Sequence, residues 1–127
     1  MKSNKEILDE FGKKVTLDIY DDGLRYFKQI LSFSTKWEAG KEYSDILNKL
    51  PSKDQRIIEK YIKEILSTSL FAFLKVFEDN EQFKLIYEEK GQQVDLNRIS
   101  EMLKSEPIIE GGWIERFSKE SKNDRTN

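Results

Sequence analysis

Apolar residues recur at helical spacing between about residues 4 and 33. They form two stripes, which fall out of phase with each other at Thr16–Ile19. The first stripe holds Ile7, Leu8, Phe11 and Val15, and the second holds Tyr20, Leu24, Phe27, Ile30 and Leu31. A single straight helix cannot carry both stripes on one face. The pattern therefore predicts one bent helix or two abutting helices.

A polar loop is predicted over residues 32–41, followed by a short helix over residues 42–50. Ser52 and Gln55 have the spacing of a capping box, so a long helix is expected to begin there and to run to Phe77. Ile58, Tyr61, Ile62, Ile65, Leu66, Ser69, Phe73 and Phe77 trace one face of it. Residues 70–77 are apolar on nearly all sides except at Lys75, which is typical of a buried helix. This helix is the predicted centre of the core.

The second half of the chain shows a strand pattern before it returns to short helices. Apolar and polar residues alternate over residues 83–87 and again from Val94, on either side of a short Glu89-Lys90-Gly91 connection, which predicts a β-hairpin. A short helix capped by Asp95 or Asn97 should follow. Trp113 and Phe117, four residues apart, are expected to pack together in the core.

These elements predict an α+β fold that is predominantly helical, with about five helices around a long central helix and one small antiparallel hairpin. No composition shift divides the chain. We therefore expect a single globular domain over residues 1–118 and a flexible polar tail over residues 119–127.

The composition excludes many kinds of active site. The 127 residues include no cysteine and no histidine, which removes disulfides, thiolate and imidazole nucleophile systems and the usual zinc and iron ligands. The net charge is −2 with both signs interleaved, so no basic surface for nucleic acid is expected. The longest apolar run is too short to span a membrane, and the first residues lack a signal peptide's hydrophobic segment. We expect a cytoplasmic protein.

Three carboxylates near the start of the second stripe, Asp18, Asp21 and Asp22, are a candidate metal site. Counted from Asp18, a calcium loop would need an oxygen ligand where Tyr20 stands and a glutamate where Gln29 stands. On one helix, Asp18 and Asp22 could share a hydrated Mg²⁺, but a solvated acidic turn is the favoured interpretation. The sequence therefore predicts no catalytic residue, no metal ligand and no cofactor.

Trp37 is the aromatic residue whose role the pattern leaves open. It lies in a polar loop beside Lys36 and Glu38, where it could belong either to the core or to a binding surface. Tryptophan dominates many protein interfaces. The candidate interface residues are Trp37, Glu38, Asp18, Asp21 and Asp22.

Two stretches carry a resemblance to known proteins. They are LFAFLKVFE at residues 70–78 with FKLIY at residues 83–87, and the closing GWIERFS at residues 112–118. Together they resemble a group of short bacterial proteins that have a helical body, a hairpin and a terminal Trp-Ile motif. Some small proteins of this kind are encoded beside polymorphic toxins and act as their immunity partners. The resemblance implies such a role and carries over no functional residue.

These observations favour a small non-enzymatic module that binds another protein, of an immunity or regulatory type. One alternative is a small enzyme or ligand-binding domain that uses carboxylates, lysine and tyrosine, with or without Mg²⁺. The other is a self-assembling helical protein, a homo-oligomer that buries residues 70–77 against a second copy.

Overall fold

The computed structural model describes residues 1–122 and shows a predominantly helical α+β fold, as predicted. The elements are α1 (Asn4–Val15), α2 (Asp22–Leu31), α3 (Glu38–Leu47), α4 (Ser52–Asp79), β1 (Ile86–Glu89), β2 (Gln92–Asp95), α5 (Leu96–Ile99) and α6 (Trp113–Phe117). The core contains Ile7, Val15, Tyr20, Leu24, Leu70, Leu74, Leu96, Leu103 and Trp113. It thus draws on both ends of the described chain.

A π-helical segment over Thr16–Asp21 explains the phase change between the two apolar stripes. Such a turn holds more residues than an α-helical turn, so it rotates every later residue around the helix axis. Val15 before it and Leu24 after it both face the core as a result. The Thr16 hydroxyl donates to the carbonyl of Gly12 at 2.7 Å, inside the protein. The prediction of one bent helix or two abutting helices is therefore confirmed.

The predicted start of α3 is wrong, whereas α4 begins at Ser52 as predicted but lacks the predicted capping box. α3 begins at Glu38 and not at residue 42, so the preceding loop is shorter than predicted. At the start of α4, Ser52 makes no capping bond. The Gln55 amide instead donates to the carbonyls of Leu47 at 3.1 Å and Leu50 at 3.3 Å, which fastens the end of α3 to α4. A capping box does begin α1, where Ser3 and Glu6 bond each other's backbone.

α4 is the long helix that the sequence predicts, but it is buried on one side only. Leu70 and Leu74 face the core, whereas Phe73 is 56% exposed and Val76 is 43% exposed. The prediction that residues 70–77 are buried on nearly all sides is therefore wrong. Among residues 1–122, no helix is long and apolar enough to cross a membrane.

The predicted hairpin is confirmed, but β1 begins three residues later than the alternation suggested, β2 begins two residues earlier, and Glu89 belongs to β1 and not to the connection. β1 and β2 pair antiparallel, with Tyr87 opposite Val94. Lys90 and Gly91 both have positive φ and form the two-residue turn. The half-buried Tyr87 and Val94 pack against the helical core. Asp95 ends β2 and caps α5 by accepting from the Asn97 amide at 3.0 Å.

Trp113 lies at the centre of the fold, which confirms its predicted place in the core. It is 0% exposed, and its ring meets Phe11 edge-on with centroids 5.7 Å apart. A Cβ on Gly12 would come within 2.5 Å of the indole. Because Gly12 has no side chain, the Trp113 ring can lie directly against the backbone of α1.

Candidate functional site

The three aspartates proposed for the interface do not act together. Asp18 is exposed on the π-helical segment, and Asp22 pairs with Arg25. Asp21 is 0% exposed. Its carboxylate accepts from the Ser118 hydroxyl at 2.7 Å and from the Lys119 amide at 2.8 Å. The assignment of Asp21 to a binding surface is therefore corrected, because an internal role occupies its carboxylate.

Asp21 instead fastens a C-terminal strap, defined here as residues 118–122. The amide and hydroxyl of Ser121 both contact the Ser118 hydroxyl, at 3.1 and 2.8 Å. Lys28 binds the Glu120 carboxylate at 2.8 Å. The described part of the predicted polar tail is thus held against α2, and residues 123–127 of that tail lie outside the described residues.

Burial of the Tyr20 phenol beside this strap raises its pKa, and the nearby negative charge of Asp21 raises it further. Tyr20 is a member of the core cluster, and Ser121 hydrogen-bonds to its hydroxyl. The neutral phenol is therefore the form that suits this environment.

Metal binding by the acidic residues gains no support from their positions. Within residues 1–122, no group of three or more carboxylates lies close enough to hold a metal ion. A cleft of about 350 Å³ opens between α4 and residues 107–115, with Tyr20, Lys60 and Glu64 in its lining. Over the same described residues, every buried side-chain nitrogen and oxygen atom has a hydrogen-bond partner. The cleft therefore offers no buried polar atom that awaits a ligand.

Trp37 presents a large aromatic surface to solvent. It is 57% exposed, and its ring lies against Tyr43 with centroids 5.7 Å apart. The indole and the Thr35 side chain both lie close to the backbone of Gly40. A Cβ on Gly40 would stand only 3.1 Å from the indole and 3.0 Å from the Thr35 hydroxyl. The Trp37 amide also donates to that hydroxyl at 3.2 Å. The structure therefore places Trp37 on the surface, with its ring against Gly40 and Tyr43.

α3 turns its small residues inward and its large apolar residues outward. Gly40 is buried beneath Thr35 and Trp37, and Ser44 is buried against α2, where its hydroxyl donates to the Ile30 carbonyl at 2.7 Å. Tyr43 and Ile46, three residues apart on the other side, are exposed. Trp37, Tyr43 and Ile46 together are called the aromatic face below. In the sequence, the aromatic face could have been predicted from two small residues four positions apart, Gly40 and Ser44, which mark the inward side of α3.

Charged side chains surround the aromatic face. Glu38 is exposed at the start of α3 and pairs with Lys41 at 3.0 Å. The other exposed charges of this region are Lys36, Glu42, Asp45 and Lys49. An apolar centre with a mixed-charge rim is the common arrangement of a protein interface. Asp18 lies before α2, and Asp22 is its first residue, about 14 Å of helix from its far end, so both stand apart from this surface.

No protein-family model, curated protein or solved structure matches the chain. The aromatic face is assigned as the candidate site from its geometry.

Proposed function

We propose that this protein is a protein-binding module whose partner docks on the aromatic face. The single observation that carries the proposal is the exposed Trp37 ring, which packs against Gly40 and Tyr43. Trp and Tyr supply a large share of binding energy at interfaces. An anchor that is already ordered loses little side-chain entropy when the partner arrives, so its burial translates efficiently into affinity.

The rim supports a specific partner of mixed charge. Glu38 and Lys41 offer one group of each sign beside the indole, with neither sign in excess across the surrounding exposed residues. Complementary charges on a partner would set its orientation on the aromatic face and speed its association. A strongly basic partner such as a nuclease domain would call for an acidic surface, and the net charge of −2 does not supply one.

Within this class we favour an immunity-type or regulatory role, in which the module occupies one partner protein and controls its activity. The resemblance of residues 70–87 and 112–118 to small proteins of that kind supports this choice. The binding surface proposed here lies outside those stretches, as expected where related modules serve different partners.

The test is affinity capture of partners by the tagged protein from its native lysate, compared with two variants. Trp37→Ala should lose the captured partner. Phe83→Ala, which removes an aromatic ring that is also mostly exposed but lies beyond α4, should keep it. Equal capture by all three proteins would exclude the aromatic face as the binding surface, and loss of capture in both variants would point to a general effect on the fold.

A further inference from the structure

The outer side of α4 carries a second unpartnered surface. Six uncharged and exposed residues follow one line along it: Ile57, Tyr61, Ile65, Thr68, Ala72 and Val76. They are called the α4 stripe below. Ile57 is 58% exposed and Tyr61 is 61% exposed, and the stripe faces away from the core residues Leu70 and Leu74. A solvent-facing line of this kind usually holds charged residues. α4 therefore exposes uncharged, mostly apolar side chains on the side where a surface helix usually carries charged ones.

The spacing of the α4 stripe is the same from either end. Successive residues are 4, 4, 3, 4 and 4 positions apart, so the centre of the stripe falls between Leu66 and Ser67. If two copies of α4 lie antiparallel about that centre, every stripe residue opposes another stripe residue. Ile57 then faces Val76, Tyr61 faces Ala72, and Ile65 faces Thr68. Each contact pairs a larger side chain with a smaller one, which is how facing helices interdigitate.

We propose that the α4 stripe is the interface of an antiparallel, two-fold symmetric homodimer. A two-fold interface uses the same patch on both subunits, and a patch must be self-complementary to do so. The symmetric spacing gives the α4 stripe that property. This interface lies on a different helix from the aromatic face and goes beyond the proposed function.

The charges along α4 select the antiparallel arrangement. Residues 52–66 of α4 carry a net charge of +1, and residues 67–79 carry a net charge of −1. Antiparallel helices place each half beside the oppositely charged half of the second copy, and their macrodipoles are also opposed. Parallel helices would place like halves together. Asp54 falls opposite Asp79 of the second copy, where Lys75 already pairs with Asp79 on its own chain.

The size of the contact sets its expected strength. From Ile57 to Val76 the α4 stripe is about 28 Å long, and a helix is about 10 Å wide. Stable interfaces usually bury about 800 Å² per partner, and one helix pair falls below that area. We therefore expect a reversible dimer that dissociates in the micromolar range.

Sedimentation equilibrium of the full chain tests the proposal. The wild type should shift from the 15.1 kDa monomer toward twice that mass as concentration rises through the micromolar range. Thr68→Lys places two like charges beside the two-fold axis and should weaken the dimer at least tenfold. Gln82→Lys adds the same charge at an exposed position after α4 and should leave it unchanged. A protein that stays monomeric at every concentration, or a dimer that tolerates Thr68→Lys, overturns the proposal.

Single cysteines test the direction of the helices, because the natural chain contains none. Ile57→Cys mixed with Val76→Cys should form an oxidised dimer. Ile57→Cys alone should not, since its two copies would stand about 28 Å apart along the helices. Cross-linking of Ile57→Cys to itself would overturn the antiparallel arrangement. Trp37→Ala should dimerise like the wild type, so loss of partner capture and loss of the dimer are separate outcomes.

Discussion

The buried carboxylate of Asp21 accepts a hydrogen bond of 2.7 Å from the hydroxyl of Ser118, which lies 97 residues later in the chain. The Lys119 amide binds the same carboxylate. A carboxylate removed from water requires such partners, because an unpaired charge in the interior is strongly destabilising. This contact joins the π-helical segment to the C-terminal strap.

Asp21→Ala should lower the free energy of unfolding by about 3 kcal/mol, since it removes a charge-assisted bond and leaves the Ser118 hydroxyl without its acceptor. Ser118→Ala should cost about 2 kcal/mol. Urea denaturation of both single variants and the double variant measures their coupling. The double variant should be less destabilised than the two single losses together, by at least about 1 kcal/mol. Strict additivity would show that the two residues act independently.

Asp21→Ala should also release the C-terminal strap. In the wild type, trypsin should cut slowly after Lys119, because the backbone there is bonded to Asp21. In Asp21→Ala the cut should become fast under conditions in which the rest of the chain stays folded. Cleavage after Lys49, in the α3–α4 connection, is the internal control and should not change.

The sequence predicted the elements of this fold better than their boundaries. The phase change near Thr16 located the joint between α1 and α2, and alternation located the hairpin. The start of α4 at Ser52 was predictable, but its cap was not, because the Ser52 and Gln55 spacing permits a capping box and does not require one. Gln55 reached carbonyls of the preceding segment instead. Which hydrogen-bond partner the Gln55 side chain takes depends on how the chain folds around it, and residue spacing alone does not predict this.

The candidate site was predictable in part. The polar surroundings of Trp37 allowed both a core and a surface role, and the structure selects the surface. Asp21 looked like its neighbours Asp18 and Asp22, and only the return of the C-terminal strap distinguishes it. A contact between two residues 97 positions apart does not affect the local spacing of apolar residues, so the sequence pattern cannot predict it. The exposure of the outer side of α4 was not predictable, because apolar residues at those positions are equally typical of a buried helix.

Gly12 and Gly23 should respond differently to alanine. A Cβ at Gly12 would come within 2.5 Å of the buried Trp113 ring, which has little room to move, so Gly12→Ala should cost about 2 kcal/mol. At Gly23 the near atoms are the flexible end of Leu66, and alanine gains helix propensity. Gly23→Ala should therefore change stability by less than about 1 kcal/mol. Thermal and urea unfolding compare the two, and equal losses would contradict the packing argument.

Tyr20 should make the protein less stable in alkali. Its raised pKa means that the unfolded chain ionises first, near pH 10, while the buried phenol keeps its proton. This contribution is present below pH 10 and is lost as pH rises through the folded-state pKa. The unfolding free energy of Tyr20→Phe should therefore fall less between pH 9 and 11 than that of the wild type. Tyr26→Phe, at an exposed ring, is the control variant. An unchanged slope in Tyr20→Phe would contradict the argument.

The two tryptophans should differ in fluorescence. Trp37 is exposed and Trp113 is 0% exposed, so acrylamide should quench part of the emission strongly and part of it weakly. Trp37→Phe should remove the strongly quenched part and shift the emission to shorter wavelength, and the melting temperature should stay nearly the same. Trp37→Ala should likewise leave the domain folded. If either variant unfolds, Trp37 belongs to the core and the proposed binding surface is wrong.

The π-helical segment makes the chain more sensitive to length than to composition at this point. Removing one residue between Thr16 and Asp21 would allow an uninterrupted α-helix, which satisfies the local backbone perfectly well. Because the segment holds about one residue more than the same rise of α-helix, that shorter helix would still direct Leu24 and Phe27 to the core, whereas one further inserted residue would turn α2 by about 100° relative to α1. A one-codon insertion here should therefore be more damaging than a one-codon deletion.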